Sequence, residues 1–150
     1  MKPPRPVRVS VPGLRRSGQK ARKPRRDLET PIHKAIYEFL VVALLPGSLI
    51  HHSPNEFNMA GEQARNLVAA AKALGMRPGW PDLEAMAVQK DGTWRLLMIE
   101  VKSDTGELSQ AQKEIREAFR RLGIPYCIAR SVQDVQDFLE WENIDTRLAA

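Results

Sequence analysis

Two acidic residues and a lysine stand where they could hold a divalent metal ion beside a reacting phosphate. Asp82 opens one apolar run, and Glu100 and Lys102 end the next. Carboxylate oxygens are hard donors that suit Mg²⁺ or Mn²⁺, and a nearby ammonium group offsets charge developing on a phosphoryl oxygen. This chemistry is phosphodiester hydrolysis. Alternatively, Asp82 caps a strand while Glu100 and Lys102 form an ordinary ion pair.

The register of a predicted hairpin decides whether the two carboxylates meet. Gly92 suits the third position of a three-residue loop, where the backbone is left-handed, so Gln89 pairs with Thr93 across the turn. Continued outward, this register places Asp82 opposite Glu100 on one face of the sheet. A two-residue turn would shift the register by one residue and place the carboxylates on opposite faces.

Neighbouring side chains would complete such a site. Lys102 points in the same direction as the second carboxylate, because side chains alternate along a strand. Val101, between them, points inward and leaves its carbonyl oxygen available as a ligand. Glu29 heads the core-facing stripe of the first helix, although acids at helix starts commonly serve the macrodipole. Gln112 also points inward, but it can close a capping box with Ser109, and we expect one side chain not to serve both roles.

Apolar periodicity and turn residues predict an α/β fold with the order α, β, α, β, β, α, β, α. The run 94–101 is apolar on both faces and is therefore a central strand, and the helix 61–74 has the character of an insertion. The predicted helices are 28–45, 61–74, 109–122 and a last one from its cap at Ser131 to 141, and the strands are 48–53, 82–88, 94–101 and 126–129.

The positive charge of the chain is concentrated at its N-terminus. Residues 1–26 contain ten Lys or Arg, five Pro and no acid, whereas the rest of the chain carries a net charge of −5. Such a segment lacks the apolar groups needed to offset its ordering entropy. We expect a disordered basic arm at 1–26, a folded domain at 27–141 and a C-terminal tail at 142–150. The arm suits a polyanion such as DNA, or it is a solubilising extension.

Other classes of protein are excluded. The longest apolar run, Phe39 to Leu45, has seven residues, far fewer than the roughly 20 that a membrane span needs. We recognise no targeting signal. The single cysteine, Cys127, cannot form an intrachain disulfide, and no Cys/His cluster has zinc-site spacing. We therefore expect a reducing, cytoplasmic compartment.

The chemistry-bearing residues, taken in order, resemble a known family. They are Glu29, Gly79-Trp80-Pro81-Asp82, Ile99-Glu100-Val101-Lys102 and Ser109-Gln110-Ala111-Gln112. This set is similar to the virus-type replication-repair nuclease (VRR-NUC) family of the PD-(D/E)XK superfamily. The resemblance extends from Glu29 to Leu139 and includes Pro54-Asn55, the inserted helix and Arg77-x-Gly79.

The resemblance implies a restriction-endonuclease-like αβββαβ core, with a mixed central sheet flanked by helices. It also implies a role for each residue of the motifs. Asp82, Glu100 and the Val101 carbonyl would bind Mg²⁺ or Mn²⁺, Lys102 would be the catalytic lysine, and Glu29 and Gln112 would support the active site.

By this resemblance we expect a metal-dependent DNA endonuclease, structure-selective on branched DNA like a Holliday junction resolvase. It would be associated with DNA in the cytoplasm of a bacterial or phage-infected host cell. The alternatives are a phage-type processing or restriction-like nuclease and a non-catalytic DNA-binding protein on the same fold. Paired cuts need two sites, hence a homodimer, for which 39–45, Phe138 and Trp141 would supply apolar surface unless they fill the monomer's own core.

Further polar residues have weaker patterns. Five cations could contact phosphates, although solvated faces are the default for such residues: Arg65, Arg77, Lys113, Arg116 and Arg120. His33, His51, His52 and Glu84 lie near the predicted site without an assigned role.

Overall fold

The computed structural model describes residues 28–53 and 62–148. The predicted arm 1–26 and the Pro54-Asn55 pair lie outside the described residues. Four helices and four strands follow one another in the predicted order. They are α1 (Glu29–Ala43), β1 (Leu49–His52), α2 (Glu62–Ala73), β2 (Leu83–Val88), β3 (Trp94–Val101), α3 (Gln110–Arg121), β4 (Tyr126–Ala129) and α4 (Val132–Trp141).

The strands form one mixed sheet in the order β1-β2-β3-β4. The first three strands are antiparallel, while β3 and β4, joined through α3, are parallel. This arrangement confirms the predicted mixed sheet, with β3 between two neighbours. A parallel neighbour requires a crossover connection, and α3 supplies it.

The β2–β3 hairpin has the register predicted from its turn. Gly92 is left-handed with a φ of +85°, and the pairs run from Val88 with Trp94 to Leu83 with Ile99. One step beyond the last pair, the same register reaches Asp82 and Glu100. The stereochemistry of one glycine therefore brings two distant carboxylates to the same end of the sheet.

Helices cover both faces of the sheet. On one face, α1 and α4 contribute Ile36, Leu40, Val135 and Leu139 to the larger core. On the other face, α3 packs Ile115 and Phe119 against Met98, with Trp80 and Tyr126 beside them. Glu100 lies on the α3 face, because it is two residues from Met98 along β3. No helix among residues 28–53 and 62–148 is long and apolar enough to cross a membrane.

The segment expected as a C-terminal tail packs on the domain as far as it is described. Ile144 is buried in the larger core, and Thr146 bridges Leu44. The N–H of Arg147 donates to the carbonyl of Ala43 at 2.8 Å. Residues 142–148 therefore pack against the end of α1 and do not extend away from the domain.

Candidate active site

Glu100 is the centre of a polar cluster on the α3 face of the sheet. Its side chain has no exposed surface, and its Oε1 accepts from the Lys102 ammonium at 2.8 Å. The Gln112 amide donates to the same oxygen. The other oxygen, Oε2, is buried and has no hydrogen-bond partner among the described residues. One carboxylate oxygen therefore accepts two hydrogen bonds, while the other accepts none from the described residues.

Asp82 occupies the place where β2 would continue. Its Oδ2 accepts from the Val101 N–H at 2.8 Å, so a side chain replaces the strand partner at the end of β3. Because the N–H and C=O of one residue leave a strand on the same edge, the Val101 carbonyl is directed to this side as well. The predicted convergence of Asp82, Glu100 and Lys102 at one end of the sheet is therefore present.

The expectation that Gln112 could serve only one role is wrong. Its Oε1 accepts from the Ser109 N–H at 2.8 Å and the Ser109 hydroxyl accepts from the Gln112 N–H, which together form a capping box. Its Nε2 at the same time donates to Glu100. Both roles are compatible because a carboxamide has an acceptor at one end and donors at the other. The start of α3 is thus connected to the buried carboxylate.

Glu29 reaches the site through the loop that follows Lys102. It is the first residue of α1, and its Oε1 accepts from the Ser103 N–H at 3.2 Å. A Cβ added at Gly106 would lie 3.1 Å from the same oxygen and 3.3 Å from Lys102 Cδ. The 103–106 loop therefore passes closely between Glu29 and Lys102.

Arg130 is a residue that sequence reasoning missed. Its guanidinium donates to the carbonyls of Ser103 and Gly106, the latter at 2.8 Å, and it stands just after β4. Arg130 thereby ties both ends of the loop beside Glu29 and Lys102 to the parallel strand. No local pattern could have identified it, because arginine after a strand is common and its partners are backbone carbonyls.

The turn before Asp82 is pressed against α3. Gly79 has a φ of +80°, and a Cβ there would lie 2.4 to 2.6 Å from the backbone of Ala111 and Gln112. Trp80 packs edge to face on Phe119 with ring centroids 5.1 Å apart. Its indole N–H donates to Glu84 Oε1 at 2.6 Å.

Glu84 thereby gains a hydrogen-bond donor, although its sequence pattern had assigned it no role. The Ser53 hydroxyl also donates to its Oε1, at 3.1 Å. With Trp80 and Ser53 as donors, Glu84 braces the turn that carries Asp82.

Two of the unassigned histidines meet next to Asp82. The rings of His33 and His52 are edge to face at 4.6 Å, and His52 Nδ1 lies 3.2 Å from the Asp82 carbonyl oxygen. Burial and the neighbouring His52 lower the pKa of His33, against the opposing charge of Asp82. A pair of histidine rings therefore borders the acidic cluster.

Burial and mutual repulsion disfavour the charged carboxylates. Burial, followed by the charge of Asp82, raises the pKa of Glu100 to about 7 despite the bond from Lys102. Burial also raises the pKa of Asp82, although the Val101 N–H and Lys102 oppose it. Burial alone would lower the pKa of Lys102, but the hydrogen bond and charge of Glu100 outweigh it and the pKa rises. Nearby positive charge thus does not fully offset the burial and mutual repulsion of the two acids, and the pKa of each is raised.

The five cations assigned to phosphate contacts are spread over two regions. Arg65 and Arg77 are exposed on and after α2, and within 28–53 and 62–148 no hydrogen bond or ion pair joins them to the acidic cluster. Lys113, Arg116 and Arg120 line a groove between α3 and β4. Arg120 donates twice to Glu117.

Comparisons with known proteins point to one family. A solved structure named "VRR_NUC domain protein" has a TM-score of 0.58 and 22% identity, over 79% of this chain and 90% of that one, so the two share a fold. Another, named "VRR_NUC domain", has a TM-score of 0.48 and 21% identity, over 75% of this chain and 95% of that one. No curated protein matches in sequence. The model of the VRR-NUC domain family matches residues 49–133, more than half of the chain. The protein with this acidic cluster on a mixed, helix-flanked sheet therefore belongs to the VRR-NUC domain family and has its nuclease-type fold.

Proposed function

We propose that the protein is an endonuclease that hydrolyses phosphodiester bonds in DNA with Mg²⁺ or Mn²⁺ as its cofactor. The observation that carries this proposal is Glu100. Its Oε2 is buried without a hydrogen-bond partner among the described residues. Burial, and then the charge of the neighbouring Asp82, raise the pKa of Glu100. An unpaired buried oxygen is costly, and a divalent cation would satisfy it and offset the repulsion between the acids.

The donor set fits such an ion. No three His, Cys, Asp or Glu side chains come together as a metal-binding group within the described part of the chain. The cluster instead offers two carboxylates and one backbone carbonyl as protein ligands: Asp82, Glu100 and Val101. Water or phosphate oxygens would complete the coordination shell. Mg²⁺ is commonly held by one or two carboxylates together with waters and phosphate oxygens, so a third acidic side chain is not required.

The chain's own residues would divide the chemistry among them. When bound, the ion would supply Lewis-acid stabilisation of charge on the phosphoryl oxygens. Lys102 lies 2.8 Å from Glu100, so its ammonium can donate to a water aligned with the phosphorus or to a nonbridging oxygen. Gln112 holds the Glu100 carboxylate in place, and the Val101 N–H holds that of Asp82. Neither acid is then free to turn away from the phosphate.

The finer part of the proposal is selectivity for branched DNA by a homodimer. Two symmetric cuts require two sites, and an isologous dimer supplies them. Several large apolar side chains are exposed on and after α1, which supports a self-association surface: Tyr37 at 41%, Val41 at 48%, Val42 at 59% and Leu49 at 62%. Of the residues named for this surface, Leu40, Ala43 and Leu44 are buried in the core and Phe39 and Phe138 pack on it, while Trp141 is 80% exposed.

The experiment incubates the protein with labelled duplex, flap and four-way DNA, with Mg²⁺, Mn²⁺ or excess EDTA. We expect cleavage only with metal, and loss of at least about 100-fold in rate for Glu100→Ala and Lys102→Ala. The first removes a ligand of the metal ion, and the second removes the ammonium group that acts on the phosphate. Lys34→Ala is the matched control, since Lys34 is exposed and pairs with Glu38 on the surface of α1.

Each result bears on a separate part of the proposal. Cleavage in excess EDTA would contradict the metal, and wild-type rates for Glu100→Ala would contradict the site. Binding of DNA without cleavage by any metal would favour the non-catalytic alternative. A monomer by light scattering, with single unpaired nicks in four-way DNA, would remove junction resolution and leave a general nuclease.

A further inference from the structure

A groove of about 320 Å³ lies between α3 and β4. Its walls carry three cations, one acid, one aliphatic side chain and one aromatic ring: Lys113, Arg116, Arg120, Glu117, Ile124 and Tyr126. The mechanism proposed above uses none of these side chains. The groove is therefore a second polar site, with its own charge.

The cations of the groove are not equivalent. Arg120 donates from Nε and Nη2 to Glu117 at 2.8 Å, and Arg121 donates to the same carboxylate at 3.1 Å. Lys113 and Arg116 have no ion pair among the residues that the structure describes. Both are exposed. The positive charge open to a ligand is thus that of Lys113 and Arg116.

Arg116 lies one helical turn beyond Gln112, on the same side of α3. Residues four apart on a helix are separated by about 6 Å along its axis, which is similar to the spacing of successive phosphates in a nucleic-acid strand. Gln112 holds Glu100, so Arg116 follows, by one turn of α3, the residue that contacts the buried carboxylate.

Tyr126 connects the groove to the acidic cluster. Burial, and then the charges of Glu100 and Asp82, raise the pKa of its phenol, whereas Arg116 opposes them. Tyr126 lines the groove and also pairs with Met98, two residues before Glu100 on β3. Its hydroxyl is buried and has no hydrogen-bond partner within the described residues.

We propose that this groove binds the DNA phosphate next to the one that is cleaved, through Arg116 with Lys113 beside it. The inference rests on the proposed nuclease function, because it places the substrate strand relative to Glu100. A guanidinium presents paired N–H donors that match two phosphate oxygens, and lysine adds a point charge. The groove binds the backbone and reads no base, so it aligns the strand without selecting a sequence.

The test compares Arg116→Gln and Lys113→Gln with Arg121→Gln in single-turnover cleavage of whichever DNA the wild type cuts best. Arg121 is a matched control because it lies on the same helix and contacts Glu117, but does not line the groove. For Arg116→Gln we expect the protein concentration at half-maximal rate to rise about tenfold, as for loss of a charged hydrogen bond. The rate at saturation should change little, and Lys113→Gln should show a smaller effect in the same direction.

A substrate series then locates the phosphate. Single neutral methylphosphonates are placed at each position flanking the cut. At one adjacent position, we expect the methylphosphonate to weaken the wild type about as much as Arg116→Gln does, and the two changes together to cost no more than either alone. Penalties that multiply at every position would overturn the assignment.

The two proposals fail in distinguishable ways. If the wild type cleaves DNA and Arg116→Gln behaves like Arg121→Gln, the groove does not bind the strand while the nuclease function stands. If the wild type cleaves no DNA with any metal, the nuclease function fails and this inference fails with it. Circular dichroism of the three variants should match the wild type, since all three side chains are exposed.

Discussion

Burial and a neighbouring charge determine the pH at which Glu100 loses its proton. Burial and the charge of Asp82 raise its pKa from 4.5 to about 7. In the folded, metal-free protein it therefore keeps its proton between these values, whereas the unfolded chain releases it. The folded state binds more protons over this window, so folding stability must fall as pH rises through it.

We expect the melting temperature of the protein in EDTA to fall between pH 5 and pH 8. The loss in free energy of unfolding should reach about 3 kcal/mol at most, as estimated from the pKa shift. Glu100→Gln, which cannot ionise, should remove most of this dependence. Added Mg²⁺ should restore stability above pH 7, since it binds only the ionised form. A melting temperature that is equally pH-dependent in the variant would contradict the assignment to Glu100.

At the scale of elements, the site depends on how closely the turn before Asp82 approaches α3. Gly79 and Gly92 provide a matched pair, because both are left-handed, with φ of +80° and +85°. A Cβ at Gly92 meets nothing within 4 Å, whereas a Cβ at Gly79 meets the backbone of Ala111 and Gln112 at less than 3 Å. Only Gly79 combines a φ that is unfavourable for other residues with a backbone clash.

We expect Gly92→Ala to lower the free energy of unfolding by about 1 kcal/mol, the cost of a left-handed alanine. Gly79→Ala should cost at least about 2 kcal/mol more, because helix backbone cannot move aside cheaply. It should also displace Gln112 from Glu100 and reduce cleavage. Urea denaturation measures both losses, and equal losses for the two variants would show that the approach to α3 is not tight.

At the scale of the whole molecule, charge is separated along the chain. Residues 1–26 carry ten cations, and the remainder has a net charge of −5. An acidic body repels DNA at a distance, so the basic segment is the natural source of non-specific attraction.

Deleting residues 1–26 should weaken DNA binding and reduce the slope of log affinity against log salt, by about 0.9 for each phosphate that the segment neutralises in the full-length protein. The saturated single-turnover rate should change little, because Glu29, Asp82, Glu100 and Lys102 all lie outside the segment. A variant of full length with the ten cations replaced by glutamine separates charge from length. An unchanged salt slope would leave the segment as a solubilising extension.

Much of the fold was predictable because its determinants are local. Helical periodicity and turn residues placed all eight elements in the right order, with ends within two residues of those observed. The hairpin register followed from the left-handed preference of Gly92, and the alternation of side chains then aligned Asp82, Glu100 and Lys102. These features depend on neighbours a few residues apart, for which stereochemistry alone is decisive.

Contacts between distant parts of the chain were decided only by the tertiary structure. The packing of α3 on β3 lets Gln112 hold Glu100 in addition to capping its own helix. The loop after Lys102 contacts both Glu29 and Arg130, which are 101 positions apart in the numbering. The meeting of His33 with His52 arose in the same way. Spacing within one element reveals which face a side chain occupies, but the partner that it meets there depends on how the elements pack. The sequence alone therefore determined the elements and the pairing of the acids, and tertiary packing determined the contacts that hold them in place.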